Sequence, residues 1–176
     1  MIPAEVKKKE NIAEYIIHMY QTEDLVLTYK FNLNEIHEYV IKHMSDNEAV
    51  LKELLLWYAD IIDQMQTEKI TNGSKRLSST QNYVEELIIL HKILLESDNS
   101  YETIFNKAKD DINKNIELSD NTITNPIQIC LNGIYGMLLL KLNGKKITSD
   151  QQDPLSGFGA VLAYLSKEYK KANFSK

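Results

Sequence analysis

At 176 residues the chain is the length of one domain with a single core, and a domain of this size buries roughly 70% of the surface its unfolded form exposes. Its hydrophobic content of 43%, charged content of 26% and mean hydropathy of -0.34 exclude wholesale disorder. A net charge of -5 with pI ≈ 5.4 argues against nucleic-acid binding, which concentrates the opposite sign on one face. Three prolines and six glycines supply too little turn chemistry for a fold of many short strands.

The expected architecture is therefore all-α: a compact bundle of six or seven helices in a single domain spanning 1–176. The first segment carries Ile12, Tyr15, Ile16, Met19, Tyr20, Val26 and Leu27 at helical spacing, which predicts one long amphipathic helix from near Ala4 to near Tyr29. A short second helix follows through Ile36, Val40 and Met44, with Asn32 and Glu35 in the spacing of a capping box. Ser45 and Glu48 repeat that spacing ahead of a third helix, whose stripe is Leu51, Leu54, Leu55, Tyr58, Ile61, Ile62 and Met65.

Asn72-Gly73 marks a turn, and the polar stretch from Ser74 to Ser79 leads into a fourth helix carrying Tyr83, Leu87, Leu90 and Leu94. Asn99 and Glu102 open a fifth through Tyr101, Ile104, Phe105, Ala108 and Ile112. After a polar stretch, Asn125 as cap and Pro126 as first residue start a sixth, because proline there loses no internal hydrogen bond. Asp153-Pro154 offers a similar start to the last helix, whose stripe is Phe158, Leu162, Leu165 and Tyr169. Gly133 and Gly136 fall inside the sixth helix, where each costs about 1 kcal/mol against alanine, and close helix approach is the expected compensation.

The N-terminal lysines precede no uninterrupted apolar run, so no secretory signal is read and a cytoplasmic location is expected. The most apolar stretch, Ile127 to Leu142, contains Gln128, Asn132 and Lys141 and is short for a membrane span; a buried helix is expected there, and no membrane partner. Lone Cys130 excludes an intramolecular disulfide and a zinc site of cysteine pairs.

The four histidines, His18, His37, His43 and His91, include no pair spaced i and i+4, and the Glu-x-x-His pattern of a di-iron bundle is missing. Glu14 and His18 stand one turn apart but lie off the apolar stripe, which predicts a solvated pair. Neither a metal nor a cofactor is implied, and no serine sits in a nucleophile elbow. Glu85-Glu86 and Asp110-Asp111 diverge by about 100° on a helix and form no acid–base couple.

Two residues resist a purely apolar reading. Glu23 falls near the centre of the first helix's stripe, between Met19 and Val26, where a charge without a partner is costly. His91 falls among Leu87, Leu90, Leu94 and Leu95. Both are candidate buried polar residues, and if the first and fourth helices face each other the two form a carboxylate–imidazole pair. Leu56, Trp57, Ile89 and Ile93 lie outside the main stripes and point to self-association or another protein partner. The favoured functional reading is a non-enzymatic helical interaction module, and the competing one is an enzyme or small-molecule binder with a polar pocket around Glu23.

The run Asn11 to Ile16, the run Met19 to Val26 and the run Tyr29 to Leu33, together with Leu90-His91, Leu94-Leu95 and Leu162 to Leu165, resemble a family of small helical bacterial proteins, chiefly from Bacteroidetes, defined as a domain of unknown function. The resemblance implies a cytoplasmic, mainly helical bacterial protein and carries no activity or functional residue with it.

Overall fold

The computed structural model describes residues 1–174, and among them are eight α-helices, one 3₁₀ turn and no strand. The helices are α1 (Pro3–Glu10), α2 (Ile12–Thr28), α3 (Leu33–Tyr39), α4 (Glu48–Thr67), α5 (Ser78–Ser97), α6 (Asn99–Leu118), α7 (Pro126–Leu142) and α8 (Ser149–Phe174); the 3₁₀ turn, Ile41–His43, follows α3. The all-α expectation holds. Eight helices replace six or seven because the first segment is two helices, not one. Asn11 leaves helical geometry at φ -154°, and its side-chain oxygen accepts from the Glu14 amide to cap α2. The apolar spacing continues across this break, so periodicity alone does not show it.

Several helix starts follow the expected residues and others are displaced along the chain. Asn32 and Asn125 each accept from two amides of the helix they cap, and Pro126 opens α7. The cap of α4 is Asn47, not Ser45, whose hydroxyl instead accepts from the Asn47 amide. The cap of α6 is Asp98, one residue before Asn99. Helix α8 begins at Ser149 and carries Pro154 inside it, so the start expected at Asp153-Pro154 is overtaken by an earlier one at Thr148, whose amide donates to the Gln151 side chain.

The apolar stripes assemble into two cores. One gathers Val26, Ile36, Ile41, Leu54, Tyr58, Ile61 and Met65 from α2 to α4, with Ile2 and Ala4 closing it from the N-terminus. The other is built on α5 to α8, which bring Leu87, Tyr101, Ala108, Ile127, Leu131, Val161 and Leu165 together. Helix α2 belongs to both: Ile12, Ala13, Ile16 and Tyr20 pack into the second core, and Met19 and Val26 into the first.

Helix α8 packs chiefly on α6 and α7, and glycine permits both approaches. A Cβ at Gly133 would lie 2.7 Å from the Phe158 ring, and one at Gly157 would lie 3.2 Å from the Ala108 methyl. Gly136 differs: nothing lies within 4 Å of a Cβ built there, so close helix approach does not account for it.

Candidate functional site

Helices α2 and α5 meet antiparallel. Tyr15 on α2 packs edge-on against Tyr83, Tyr20 donates a hydrogen bond to Gln81, and Glu23 accepts one from Thr80, so the α2 number rises as the α5 number falls. This register decides the fate of the two candidate polar residues. Glu23 is fully buried and accepts from the Thr80 hydroxyl at 2.9 Å and the Leu77 amide at 3.3 Å. It thereby caps α5, whose own residue at that position, Leu77, has no side chain able to do so.

His91 lies in the second half of α5, out of reach of Glu23. Its Nδ1 shares a 2.7 Å hydrogen bond with the Tyr101 hydroxyl, and its ring packs on Phe105 with centroids 4.6 Å apart. The expected Glu23–His91 pair does not form: the helices face each other, but the antiparallel register sets Glu23 against the first turn of α5. Burial, with a smaller contribution from Lys92, lowers the His91 pKa and keeps the ring neutral. The Glu14–His18 expectation fails in part, because His18 is half-buried and stacks on Trp57 at 5.9 Å while Glu14 is exposed.

Beside Glu23 stands Arg76, the only arginine in a chain with nineteen lysines. Nη1 donates to the Tyr20 carbonyl at 3.2 Å and to Asp24 Oδ1 at 2.6 Å, and Nη2 donates to Asp24 Oδ2 at 3.3 Å. Glu23 lies 3.8 Å from Nη1, and the guanidinium sits over the Tyr20 ring at 4.6 Å and near the Tyr135 ring at 5.6 Å. Tyr135 completes the cluster by donating to Asp24 at 2.5 Å. Lysine, a compact point charge with its donors on one nitrogen, has no planar fork to hold a carboxylate while stacking on a ring.

Two acids share this one cation. Burial pushes the Glu23 pKa up, and the Thr80 hydrogen bond, Arg76 and the Leu77 amide pull against it without cancelling it. Burial works against the charge on Arg76, but Asp24 and Glu23 outweigh it and hold the pKa above its ordinary value. Burial and the bond to Asp24 likewise raise Tyr135, which stays a donor.

Arg76, Tyr20 and Tyr135 form one wall of a cleft of about 660 Å³, which Gln81, Gln128 and Asn132 also line. Gln128 donates to the Tyr20 hydroxyl at 3.0 Å and to the Asn132 carbonyl at 2.8 Å, so Gln81, Tyr20, Gln128 and Asn132 form one hydrogen-bonded chain. That chain leaves Gln81 Nε2, Gln128 Oε1 and Asn132 Nδ2 without a partner among the described residues. The same holds for Arg76 Nε, and since among the described residues no buried side-chain nitrogen or oxygen lacks a partner, Nε reaches solvent. Asp24 takes one hydrogen from each Nη, so Nε and the second Nη2 hydrogen remain as donors on the side edge of the guanidinium.

Among the described residues no three His, Cys, Asp or Glu side chains gather as a metal site, and no helix is long and apolar enough to cross a membrane. Cys130 is buried, which raises its thiol pKa to about 12. Sequence reasoning located Glu23 but passed over Arg76 and Asp24. The signal available was compositional: one arginine among many lysines marks a position where planar, two-pronged geometry is needed.

The fold and the cleft define an all-helical protein with a polar, arginine-floored recess between two packed cores. The chain belongs to the family described as "Domain of unknown function (DUF4924)", which matches residues 1–175. No curated protein and no solved structure matches it.

Proposed function

We propose that the protein is a binding protein for a small, uncharged polar molecule held in the Arg76 cleft. The observation that carries this reading is the convergence of unengaged groups on one recess: the free guanidinium edge and the amides of Gln81, Gln128 and Asn132. A recess of this size with a few fixed polar groups is the usual form of a small-molecule site. Charge favours a neutral ligand. Asp24 and Glu23 already offset Arg76, and no lysine lines the cleft, so an anion meets no net positive field there.

The ligand's carbonyl or hydroxyl oxygen would accept from the free edge of Arg76 while the three amides bind its remaining hydroxyls or amide. Asp24 and Tyr135 hold the guanidinium in place beforehand, so little ordering cost falls on binding. Calorimetric titration with methyl β-glucoside and adenosine, against glucuronate and adenosine monophosphate, tests the reading. Heat from a neutral compound that is at least tenfold weaker in Gln128→Ala supports it. Binding confined to the anions, or no binding by any of the four, overturns it.

A second reading is self-association through the α5 surface, and Ile89 and Ile93 favour it. They stand one turn apart and are 57% and 55% exposed; Leu56 on α4 is also exposed, whereas Trp57 is accounted for within the monomer by His18. Native mass spectrometry of protein purified from its own cells separates the readings, since it reports bound ligand and subunit count together.

A further inference from the structure

A second cavity of about 690 Å³ lies between α6, α7 and α8, and its walls are largely apolar, with Leu118, Met137, Leu140, Leu155 and Phe158 among them. Asn132 and Gly136 line this cavity and the Arg76 cleft alike. The two recesses therefore adjoin along one face of α7, where residues spaced by four stand in a row.

Gly136 is the position at which they meet. A glycine in mid-helix destabilises that helix relative to alanine, and Gly133 has a packing reason for it in the Phe158 ring. Gly136 has none, because the space beyond its Cα is empty to 4 Å. That space lies where the polar cleft and the apolar cavity share their lining. A side chain there would stand in it.

Resting on the binding function proposed above, we infer that the two recesses form one site for an amphipathic small molecule, its uncharged polar head at Arg76 and its apolar tail crossing Gly136 into the cavity of α6, α7 and α8. The polar end supplies orientation and the apolar end supplies most of the affinity, as removal of hydrocarbon from water does wherever a chain enters a preformed recess.

Alkyl β-glucosides from methyl to octyl, kept below their micelle-forming concentrations, are the probes. Affinity by calorimetry is expected to rise on the order of twofold to fourfold per methylene until the cavity is filled. Gly136→Leu places a side chain in that space while improving helix propensity, so it folds at least as stably as the parent by thermal melt. In that variant octyl glucoside loses its advantage over methyl glucoside, so the dependence on chain length disappears. Equal affinity for methyl and octyl glucoside in the parent, or an unchanged chain-length dependence in Gly136→Leu, overturns the inference and leaves the polar cleft standing. Failure of every glucoside to bind overturns the inference, and failure of adenosine as well overturns the binding function.

Discussion

The two cores are made of different material. The α2–α4 core is formed by isoleucine, leucine, methionine, valine, Ala4 and one tyrosine, Tyr58, whose hydroxyl is kept protonated chiefly by burial. The α5–α8 core admits Cys130, Tyr101 and Tyr135 and is bordered by the buried His91 and Ser166, the latter accepting from the Ala13 amide. Among the described residues, a carboxylate is buried only where the two meet, at Glu23. An apolar core specifies that elements collapse but tolerates many packings, whereas a buried carboxylate accepts one partner set. In this molecule Glu23 and Arg76 fix how α2, the helix common to both cores, sits on the start of α5.

The strongest way to break that arrangement is Arg76→Ala. It leaves Asp24 and the fully buried Glu23 without their cation, and a loss of about 3–5 kcal/mol is expected in urea melts. Arg76→Lys keeps the charge but not the fork, and is expected to recover only part of that loss. If Arg76→Ala unfolds at the parent's urea concentration, the seam between the cores does not depend on this cluster.

The α6–α8 contact gives a smaller and opposed pair of effects. Gly133→Ala forces a methyl against the buried Phe158 ring, an overpacking cost of about 1–3 kcal/mol set against a helix-propensity gain of about 1 kcal/mol. Gly136→Ala meets nothing and is expected to stabilise by about 0.5–1 kcal/mol. Thermal melts of the two variants should therefore move in opposite directions, and a shift of the same sign in both would show that the Phe158 contact is not tight.

The smallest effect is the pH response of the second core. His91 is held neutral with a lowered pKa, so its contribution to stability is fully present above the ordinary histidine value near 6.5 and is lost as pH falls through its folded value. Denaturant midpoints between pH 7 and 5 should fall more steeply in the parent than in His91→Gln, which keeps a polar partner for Tyr101. Since Glu23 lies at the other end of α5, Glu23→Gln should leave the His91 titration, followed by NMR, unchanged.

Most of the helices were legible in the sequence because their stripes are long and their caps local: Asn32, Asn125 and Pro126 do what their types dictate. The break at Asn11 was not, since Ile12 and Tyr15 carry the stripe onward on both readings. The start of α8 was misread because a proline is a stronger mark than the Thr148 and Gln151 spacing that opens the helix. For the candidate site, a charge in an apolar stripe identified Glu23 as buried, but its partner depended on the register of α2 against α5. Tyr20, Asp24, Arg76, Gln128 and Tyr135 come from two helices and a connecting segment, and no local spacing brings them together.

The capping of α5 has a consequence for how the chain folds. Leu77 and Ser78 donate their amides to Glu23 on α2 and to Glu68, the residue that caps the end of α4, so the first turn of α5 is completed by neighbours and not by its own residues. A peptide of α5 alone would fray at that end. In the intact protein the ordinary hierarchy is reversed there: docking precedes and completes the helix. Amide exchange at Leu77, whose bond to Glu23 is buried, should then proceed only through separation of α2 from α5, which makes this proton a reporter of a global opening at a position where helices usually open first.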